Sequence, residues 1–360
     1  MSEKIKVALI GCGRISKNHI KSIIYHNSNI SLVAICDSNQ NRLNEAILLI
    51  KEEQEKYNLK NEKISIYDNF QKLIDDHNQN INKLDLVVLA TPSGLHYEHT
   101  ILAAENKINI CTEKPMATKF KQGKEMVKKC AENGVKLFVV KQNRFNSTLQ
   151  LLKKQIEKKR FGEIALVTVN VFWQRPQSYY DQDDWRGTIE LDGGALMNQA
   201  SHYVDLLDWL IGPVKTVSAS IATISRKIEA EDTAAVQLKW ENGALGTLAV
   251  TMLTFPKNLE GSITILGENG TVKIGGTAVN KIETWEFKDH SDDDKKINDV
   301  GYVSEDVYGK GHYPYYGNII SCLNKEEKAM CDGNDGLKSL ELLEAAYSSA
   351  REERIVKLPL

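Results

Sequence analysis

Three groups of residues in this 360-residue chain have types and spacing that could do chemistry. Gly11-Cys12-Gly13-Arg14-Ile15-Ser16 follows a short apolar run and opens a helical pattern. Glycines there permit a tight turn and close backbone approach to a pyrophosphate, which a helix N-terminus then stabilises. Ser16 is a small residue at the third position of that pattern, where glycine or alanine is usual. Asp37 lies 26 residues after Gly11, at the end of the next apolar run. A carboxylate there would bind the adenosine ribose hydroxyls and repel a 2′-phosphate, favouring NAD over NADP; Arg14 offsets part of that repulsion. The second group is two loops, Ala90-Thr91-Pro92-Ser93-Gly94-Leu95-His96 and Glu113-Lys114-Pro115, each leaving the C-terminal end of an apolar run. The third is Asn198 and His202, four residues apart and preceded by Gly193-Gly194. On a helix that spacing puts both side chains on one stripe, and the glycines allow a ligand close approach. Oxidising a secondary alcohol needs a base for the hydroxyl proton and a hydride acceptor. His202 is the natural base, since imidazole titrates near 6.5. Lys114 would polarise the developing carbonyl, or exchange roles with His202.

The elements that must hold these residues follow from hydrophobic periodicity. Lys6–Ile10, Leu32–Cys36, Leu84–Ala90, Ile108–Thr112 and Leu137–Lys141 read as strands buried on both faces. They alternate with helical patterns near residues 17–26, 39–55 and 119–133, which predicts a parallel, doubly wound sheet. After about Phe161 the pattern changes to longer alternating runs: 164–173, 214–224, 234–240, 244–251, 262–266 and 271–274. Turn signals such as Glu241-Asn242-Gly243 join them, predicting a large, open, mostly antiparallel sheet. One helix, Asn198–Ile211, interrupts it, and one of about 336–351 ends the chain. The expected fold class is therefore α/β, an N-terminal Rossmann domain plus a C-terminal α+β domain. The expected boundaries are 1–130 for cofactor binding, 131–335 for substrate binding and oligomerisation, and 336–360 for a helix and tail packing back on the Rossmann domain. The run Lys288–Lys296 reads as a charged surface loop without chemistry.

Composition excludes several classes. Lys plus Arg is 46 against 48 Asp plus Glu, so the net charge of −2 gives no basic footprint for nucleic acid. No apolar run approaches the roughly 18 residues that span a bilayer, and the N-terminus has no signal-peptide pattern, so a cytoplasmic protein without membrane partners is expected. The six cysteines are scattered, with no Cys/His group at metal-ligand spacing, so reduced thiols and no metal are expected.

Taken in order, Gly11-Cys12-Gly13-Arg14-Ile15, Glu113-Lys114-Pro115, Trp185-Arg186 and Gly193-Gly194 to His202 resemble the glucose–fructose oxidoreductase/inositol dehydrogenase (Gfo/Idh/MocA) family over essentially the whole chain. That family usually carries aspartate where this chain has Asn198, which leaves His202 without the usual acidic neighbour. Four stretches are similar, more narrowly, to bacterial UDP-N-acetylglucosaminuronate 3-dehydrogenases of lipopolysaccharide O-antigen synthesis, in which asparagine before the histidine also occurs. They are Lys141–Phe145, Phe172–Tyr180, Gly193–His202 and Phe255–Ser262.

The resemblance implies NAD as cofactor and oxidation of the sugar C3 hydroxyl to a 3-keto UDP-sugar. It implies cofactor contacts from Gly11, Gly13, Arg14, Ile15, Asp37, Thr91, Pro92, His96, Glu113, Lys114, Trp185 and Arg186. It also implies a homo-oligomer, dimer or tetramer, and 2-oxoglutarate as a candidate oxidant recycling NADH in place. A UDP-uronate carries a pyrophosphate and a carboxylate, so Lys141, Arg144 and Arg175 are candidate substrate contacts beside Asn198 and His202. Tyr179, Tyr180 and the Gly311–Tyr316 loop, Tyr316 included, could line the sugar or uracil pocket. Rival readings are another sugar or polyol dehydrogenase, a glycosidase working through a 3-keto intermediate with bound NAD, and a non-catalytic NAD sensor.

Overall fold

The structure, a computed structural model, describes residues 3–59, 63–302 and 309–360. They divide into two compact units. The first comprises Met1–Ala117, Lys121–Val140 and His312–Leu337; the second comprises Thr118–Phe120, Lys141–Gly311 and Lys338–Leu360.

The first unit holds six strands: β1 (Ile5–Ile10), β2 (Ile30–Cys36), β3 (Ser65–Tyr67), β4 (Leu86–Leu89), β5 (Asn109–Thr112) and β6 (Leu137–Val139). They form one parallel sheet in the order β3-β2-β1-β4-β5-β6. Val7, Ala8, Leu9, Leu86, Val87, Val88 and Leu89 are fully buried, as strands covered by helices on both faces must be. Strand order reverses between β1 and β4, which opens the ligand crevice at the C-terminal ends of those strands. The short strand β3 and the helices Phe70–Asn78 and His96–Glu105 carried no sequence signal strong enough to place.

The second unit holds β7 (Ile164–Phe172), β8 (Val214–Ala222), β9 (Thr233–Trp240), β10 (Leu245–Thr251), β11 (Glu260–Gly267), β12 (Gly270–Gly275), β13 (Lys281–Phe287) and β14 (Val356–Lys357). Their order is β13-β12-β11-β7-β10-β9-β8-β14, antiparallel except for the β7–β10 pair. Alternation sets one face inward. In β9, Ala234, Val236, Leu238 and Trp240 are buried, while Ala235, Gln237 and Lys239 are exposed. The β9–β10 hairpin turns at Gly243, whose φ of +92° suits glycine, and the Ala244 N–H donates to Asn242 Oδ1 at 3.1 Å.

Three expectations are corrected here. Residues 338–360, expected as a piece apart from the substrate domain, belong to the second unit: Val356 is buried and pairs with Val217. The segment that does join the first unit is the helix His312–Leu323, read from sequence as a loop; its buried Tyr315, Tyr316, Ile319 and Ile320 give it an apolar face. The run 288–296 is a clasp rather than a plain surface loop. Asp293 is buried and accepts from Lys154, Lys158 and Lys296 at 2.8, 2.7 and 3.1 Å, while Arg160 grips Asp294 at 2.7 Å.

Candidate functional site

The chemistry-bearing residues fall into two sets, one in each unit. In the first unit, Gly11 ends β1 with φ +94°, and a Cβ there would stand 2.5 Å from the Ala90 carbonyl oxygen. The turn therefore runs tightly against the start of the Thr91 loop. At Gly13 a Cβ would meet nothing within 4 Å, so open space lies before the helix Ser16–Tyr25. That is the room a pyrophosphate needs at a helix N-terminus. Asp37 accepts the Cys12 N–H and the Asn39 N–H, each at 2.8 Å, which fixes its carboxylate beside the glycine turn. Arg14 is exposed and Ile15 half-buried on the same turn. These residues fit an NAD molecule: a glycine cradle, a helix end and a held carboxylate for the ribose.

His96 ties the two loops of the sheet edge together. It is buried, with its ring nitrogens 2.8 Å from the Pro115 carbonyl and 2.9 Å from the Thr91 carbonyl. Burial holds its pKa below the ordinary imidazole value, against the pull of those carbonyls. Pro92 starts the intervening turn, Ser93–Leu95. Glu113 is also buried. Its Oε2 accepts the Lys114 N–H at 3.1 Å and its Oε1 faces His19 Nε2 at 3.0 Å. Burial alone would push this carboxyl up; the hydrogen bond and charge of His19, with Lys114 and His312, instead hold it at about 2. His19 Nδ1 is hydrogen-bonded to the Tyr316 hydroxyl at 2.8 Å.

Tyr316 is thus a core residue of the first unit, fully buried on His19, and not a lining residue of a sugar or uracil pocket. The donor atoms of His19, Glu113 and His312 lie within 4.8 Å of one another, with both His19 nitrogens taken by Tyr316 and Glu113. No spacing rule could find such a group, because its members are spread from residue 19 to residue 312.

In the second unit, the helix expected over Asn198–Ile211 is two pieces. Ala195–Gln199 is a π-turn, and Ser201–Ile211 an α-helix. Single π-turns in helices are uncommon and concentrate at functional sites. Asn198 lies in the π-turn, and its Nδ2 donates to Asp192 Oδ1. Asp192 is itself buried, and its Oδ2 accepts the Gly187 N–H at 2.7 Å. An acidic neighbour therefore exists for this segment, but it precedes the glycines and serves position 198. His202 is 6% exposed, with Nε2 3.2 Å from Gln142 Nε2. The Gln142 amide therefore orients the ring and occupies the nitrogen that a general base would use. The sequence had placed His202 on a polar stripe; instead the helix is buried on nearly all sides.

Lys141 and Arg144 were expected to meet the substrate. Both are buried on Asp205. Arg144 makes two bonds to its carboxylate, at 2.8 and 2.7 Å; Lys141 Nζ lies 3.6 Å away and donates to Ser339, which also reaches Asp205. This fork-on-carboxylate grip is the one anticipated for a ligand, but a protein side chain receives it, three residues along the helix from His202. Burial would raise the Asp205 carboxyl; Lys141 and Arg144 outweigh it and hold it at about 2.

Arg175, Tyr179, Trp185 and Arg186 do come together, half-buried. The Arg175 guanidinium stands over Trp173 at 5.2 Å and Tyr179 at 5.4 Å. Arg186 stands over Tyr179 at 4.7 Å and Trp185 at 4.6 Å, donating to the Tyr179 hydroxyl at 3.0 Å and to Asp183 at 2.9 Å. Arg226, not singled out from sequence, donates to the Arg175 carbonyl at 2.7 Å. Two guanidiniums sharing one aromatic ring with partial exposure suit a polyanionic ligand. Sequence reasoning also missed Gln142 and Asp192 as functional residues. Both sat inside runs already singled out, but nothing in a linear pattern shows that they face His202 and Asn198.

All six cysteines are buried, and none forms a disulfide. Burial pushes the thiols of Cys12, Cys36, Cys111 and Cys130 up to about 12, which makes them packing residues. Among the described residues no helix is long and apolar enough to cross a membrane.

Comparison with known proteins places both units in one family. Residues 5–141 match the oxidoreductase family model for an NAD-binding Rossmann fold, and residues 153–358 match the family's C-terminal alpha/beta domain. The WlbA dehydrogenase of Bordetella pertussis, solved in complex with NADH and UDP-GlcNAcA, is 52% identical at a TM-score of 0.91, covering 100% of this chain and 99% of its own. WlbA of Chromobacterium violaceum, solved with the same two ligands, is 49% identical at a TM-score of 0.91, covering 100% and 97%. Among more distant relatives, the D-apiose dehydrogenase of Paraburkholderia graminis is 24% identical over 99% of this chain and 90% of its own length. The chain belongs to the Gfo/Idh/MocA oxidoreductase family, with its NAD-binding Rossmann domain and its C-terminal α/β domain, and is an NAD-dependent sugar dehydrogenase.

Proposed function

We infer that the chain oxidises the C3 hydroxyl of UDP-N-acetyl-D-glucosaminuronate to the 3-keto sugar nucleotide. The observation that carries this reading is identity of about half, over the full length, with two dehydrogenases that hold NADH and UDP-GlcNAcA. NAD supplies the hydride acceptor when bound, held by Gly11, Gly13, Arg14, Ile15, Asp37, Thr91, Pro92 and the His96-tied loops. His202 takes the hydroxyl proton. Its imidazole, oriented by Gln142, is suited to that role, and the substrate hydroxyl would take the place of the Gln142 amide at Nε2. Lys114 orients the hydroxyl and stabilises the developing carbonyl oxygen. Asn198 is a further candidate sugar contact, its amide set by Asp192.

The Arg175–Tyr179–Arg186 stack supports an anionic sugar nucleotide over a neutral polyol. On the same reading Arg175 and Tyr179 meet the substrate, and Trp185 and Arg186 serve the cofactor. Lys141, Arg144 and Tyr316 are given no part in the reaction. Buried cysteines outside any disulfide suit the reducing cytoplasm. The outward face of β9 and β10, with Leu245 and Thr247 exposed, is the surface through which copies would pair as a dimer or tetramer. The test is incubation with UDP-N-acetyl-D-glucosaminuronate, with NAD and 2-oxoglutarate each present or omitted, following NADH absorbance and product mass. A product lighter by two hydrogens is expected; NADH that accumulates only without 2-oxoglutarate would place its reoxidation in the same cycle. No product from this sugar nucleotide, with turnover of a neutral sugar, would overturn the assignment.

A further inference from the structure

We propose that Glu231, a buried carboxylate on the segment leading into β9, is the positioning residue for His202, holding the π-turn that carries Asn198 and precedes the base. Resting on the reading of His202 as base, the proposal makes activity respond to the charge on Glu231 as well as to that on the imidazole.

The geometry is a clamp on a helix start. The Glu231 carbonyl accepts the Ala195 N–H at 3.0 Å, and its Oε1 accepts the Leu196 N–H at 2.8 Å. These are the first two backbone donors of Ala195–Gln199, which lack partners within the turn itself. No side chain from the turn's own N-terminal residue caps it; the acceptors come from another part of the chain. The Tyr347 hydroxyl donates to the same Oε1 at 2.9 Å and accepts the Met197 N–H at 3.1 Å, so two residues, through one backbone carbonyl and two side chains, secure three successive donors. Gly194 is required at the turn's entrance because any Cβ there would overlap the Glu231 carboxylate. The second glycine of the Gly193-Gly194 pair thus makes room for a protein carboxylate, whereas sequence reading had assigned that room to a ligand.

The groups facing Glu231 are few. Tyr347 comes from the helix Gly333–Glu352, Asp192 from the loop before the glycines, and Asp232 follows in sequence, its carboxylate taken by the N–H groups of Ile224, Ser225 and Arg226. Burial pushes the Glu231 carboxyl up to about 7, against the Leu196, backbone and Tyr347 hydrogen bonds that lower it, and the Asp192 charge raises it further. A carboxylate negative above neutrality suits a helix N-terminus, and protonation weakens its hold on both donors. The sign is definite. The folded value lies above the ordinary 4.5, so this group's contribution to stability is largest at low pH and falls as pH rises through 7, while alignment of the π-turn is best where stability is least.

The experiment compares wild type, Glu231→Gln and Tyr347→Phe. Glu231→Gln keeps the shape and an acceptor oxygen but no titration. In wild type the acid limb of kcat against pH should steepen to two protons, His202 and Glu231. In Glu231→Gln it should return to one, with kcat at pH 8 down about 10-fold and the KM for NAD unchanged. Tyr347→Phe removes a bond that favours the charged form, so it should move the steeper part of the limb to higher pH. A structural role alone would lower stability without changing the number of protons. A second measurement needs no substrate: carbon-13 NMR of labelled glutamate and histidine. It should show one glutamate titrating near neutrality, absent in Glu231→Gln, and His202 ring signals following that titration in wild type only. If His202 ignores Glu231 and the acid limb keeps its slope in Glu231→Gln, the proposal fails. If the NMR coupling is present but UDP-N-acetyl-D-glucosaminuronate is not turned over, the positioning stands and the substrate assignment fails.

Discussion

Replacing Asp205 by asparagine should be the most costly single change in the second unit that leaves its shape intact. The Asp205 carboxylate faces Arg144 at 2.7 and 2.8 Å and Lys141 at 3.6 Å, and all three side chains are buried. Its value of about 2, against an ordinary 3.8, corresponds to roughly 2 kcal/mol of stability. The folded value is depressed, so this stability is complete above about pH 4 and is lost as pH falls through 2. Asp205→Asn removes more than this titratable part, because it strands two buried cations; breaking such a pair costs about 3–5 kcal/mol. For a unit of this size, about 2–4 °C accompanies each kcal/mol, so Tm at pH 7 should fall by about 6–20 °C. Thermal and urea unfolding of wild type and variant from pH 2 to 7 check this, and the difference between them should shrink toward pH 2. A loss under about 3 °C at pH 7, or a difference that does not change with pH, would refute the reasoning. It would also free Lys141 and Arg144 for the substrate role first expected of them.

Other outcomes follow from single contacts. Gly13→Val should change Tm little, since a Cβ at that position meets nothing within 4 Å, yet raise the Kd for NAD at least about 10-fold by entering the pyrophosphate's space; equal affinity by calorimetry would contradict the cofactor assignment. Arg175→Leu should raise the KM for the sugar nucleotide about 10-fold or more by removing a charged donor, worth roughly 1.5–3 kcal/mol, and leave the KM for NAD alone. Tyr316→Phe should cost about 1 kcal/mol of stability from the lost bond to His19 without changing the KM for the sugar nucleotide. A substrate effect there would restore the pocket role.

Much of the architecture was legible because it rests on periodicity. Runs buried on both faces gave β1, β2, β4, β5 and β6, and alternation gave β7 to β12 of the second sheet, but not β13 or β14. The glycine turn and Asp37 were legible because they are close in sequence and bound to a rigid strand end. What escaped was set by tertiary contact. The His312–Leu323 helix has its tyrosines and its one proline near the start, which read as a loop until their packing in the first unit is seen. Lys141 and Arg144 looked like anion receptors because a sequence shows charge but not its partner, here Asp205 some 61 residues away. Gln142, Asp192 and Glu231 belong to the same class. Each matters through what it touches, and the touching residue lies on another element.

The central claim is that His202 is the base of an NAD-dependent oxidation of a sugar-nucleotide hydroxyl. Single-turnover NADH formation with saturating NAD and UDP-N-acetyl-D-glucosaminuronate, in wild type and His202→Asn, tests it most directly. The account predicts a burst of NADH with a product two hydrogens lighter in wild type, and a rate lower by about 100- to 10,000-fold in the variant with NAD binding intact. An unchanged rate in His202→Asn would contradict it and pass the role of base to Lys114.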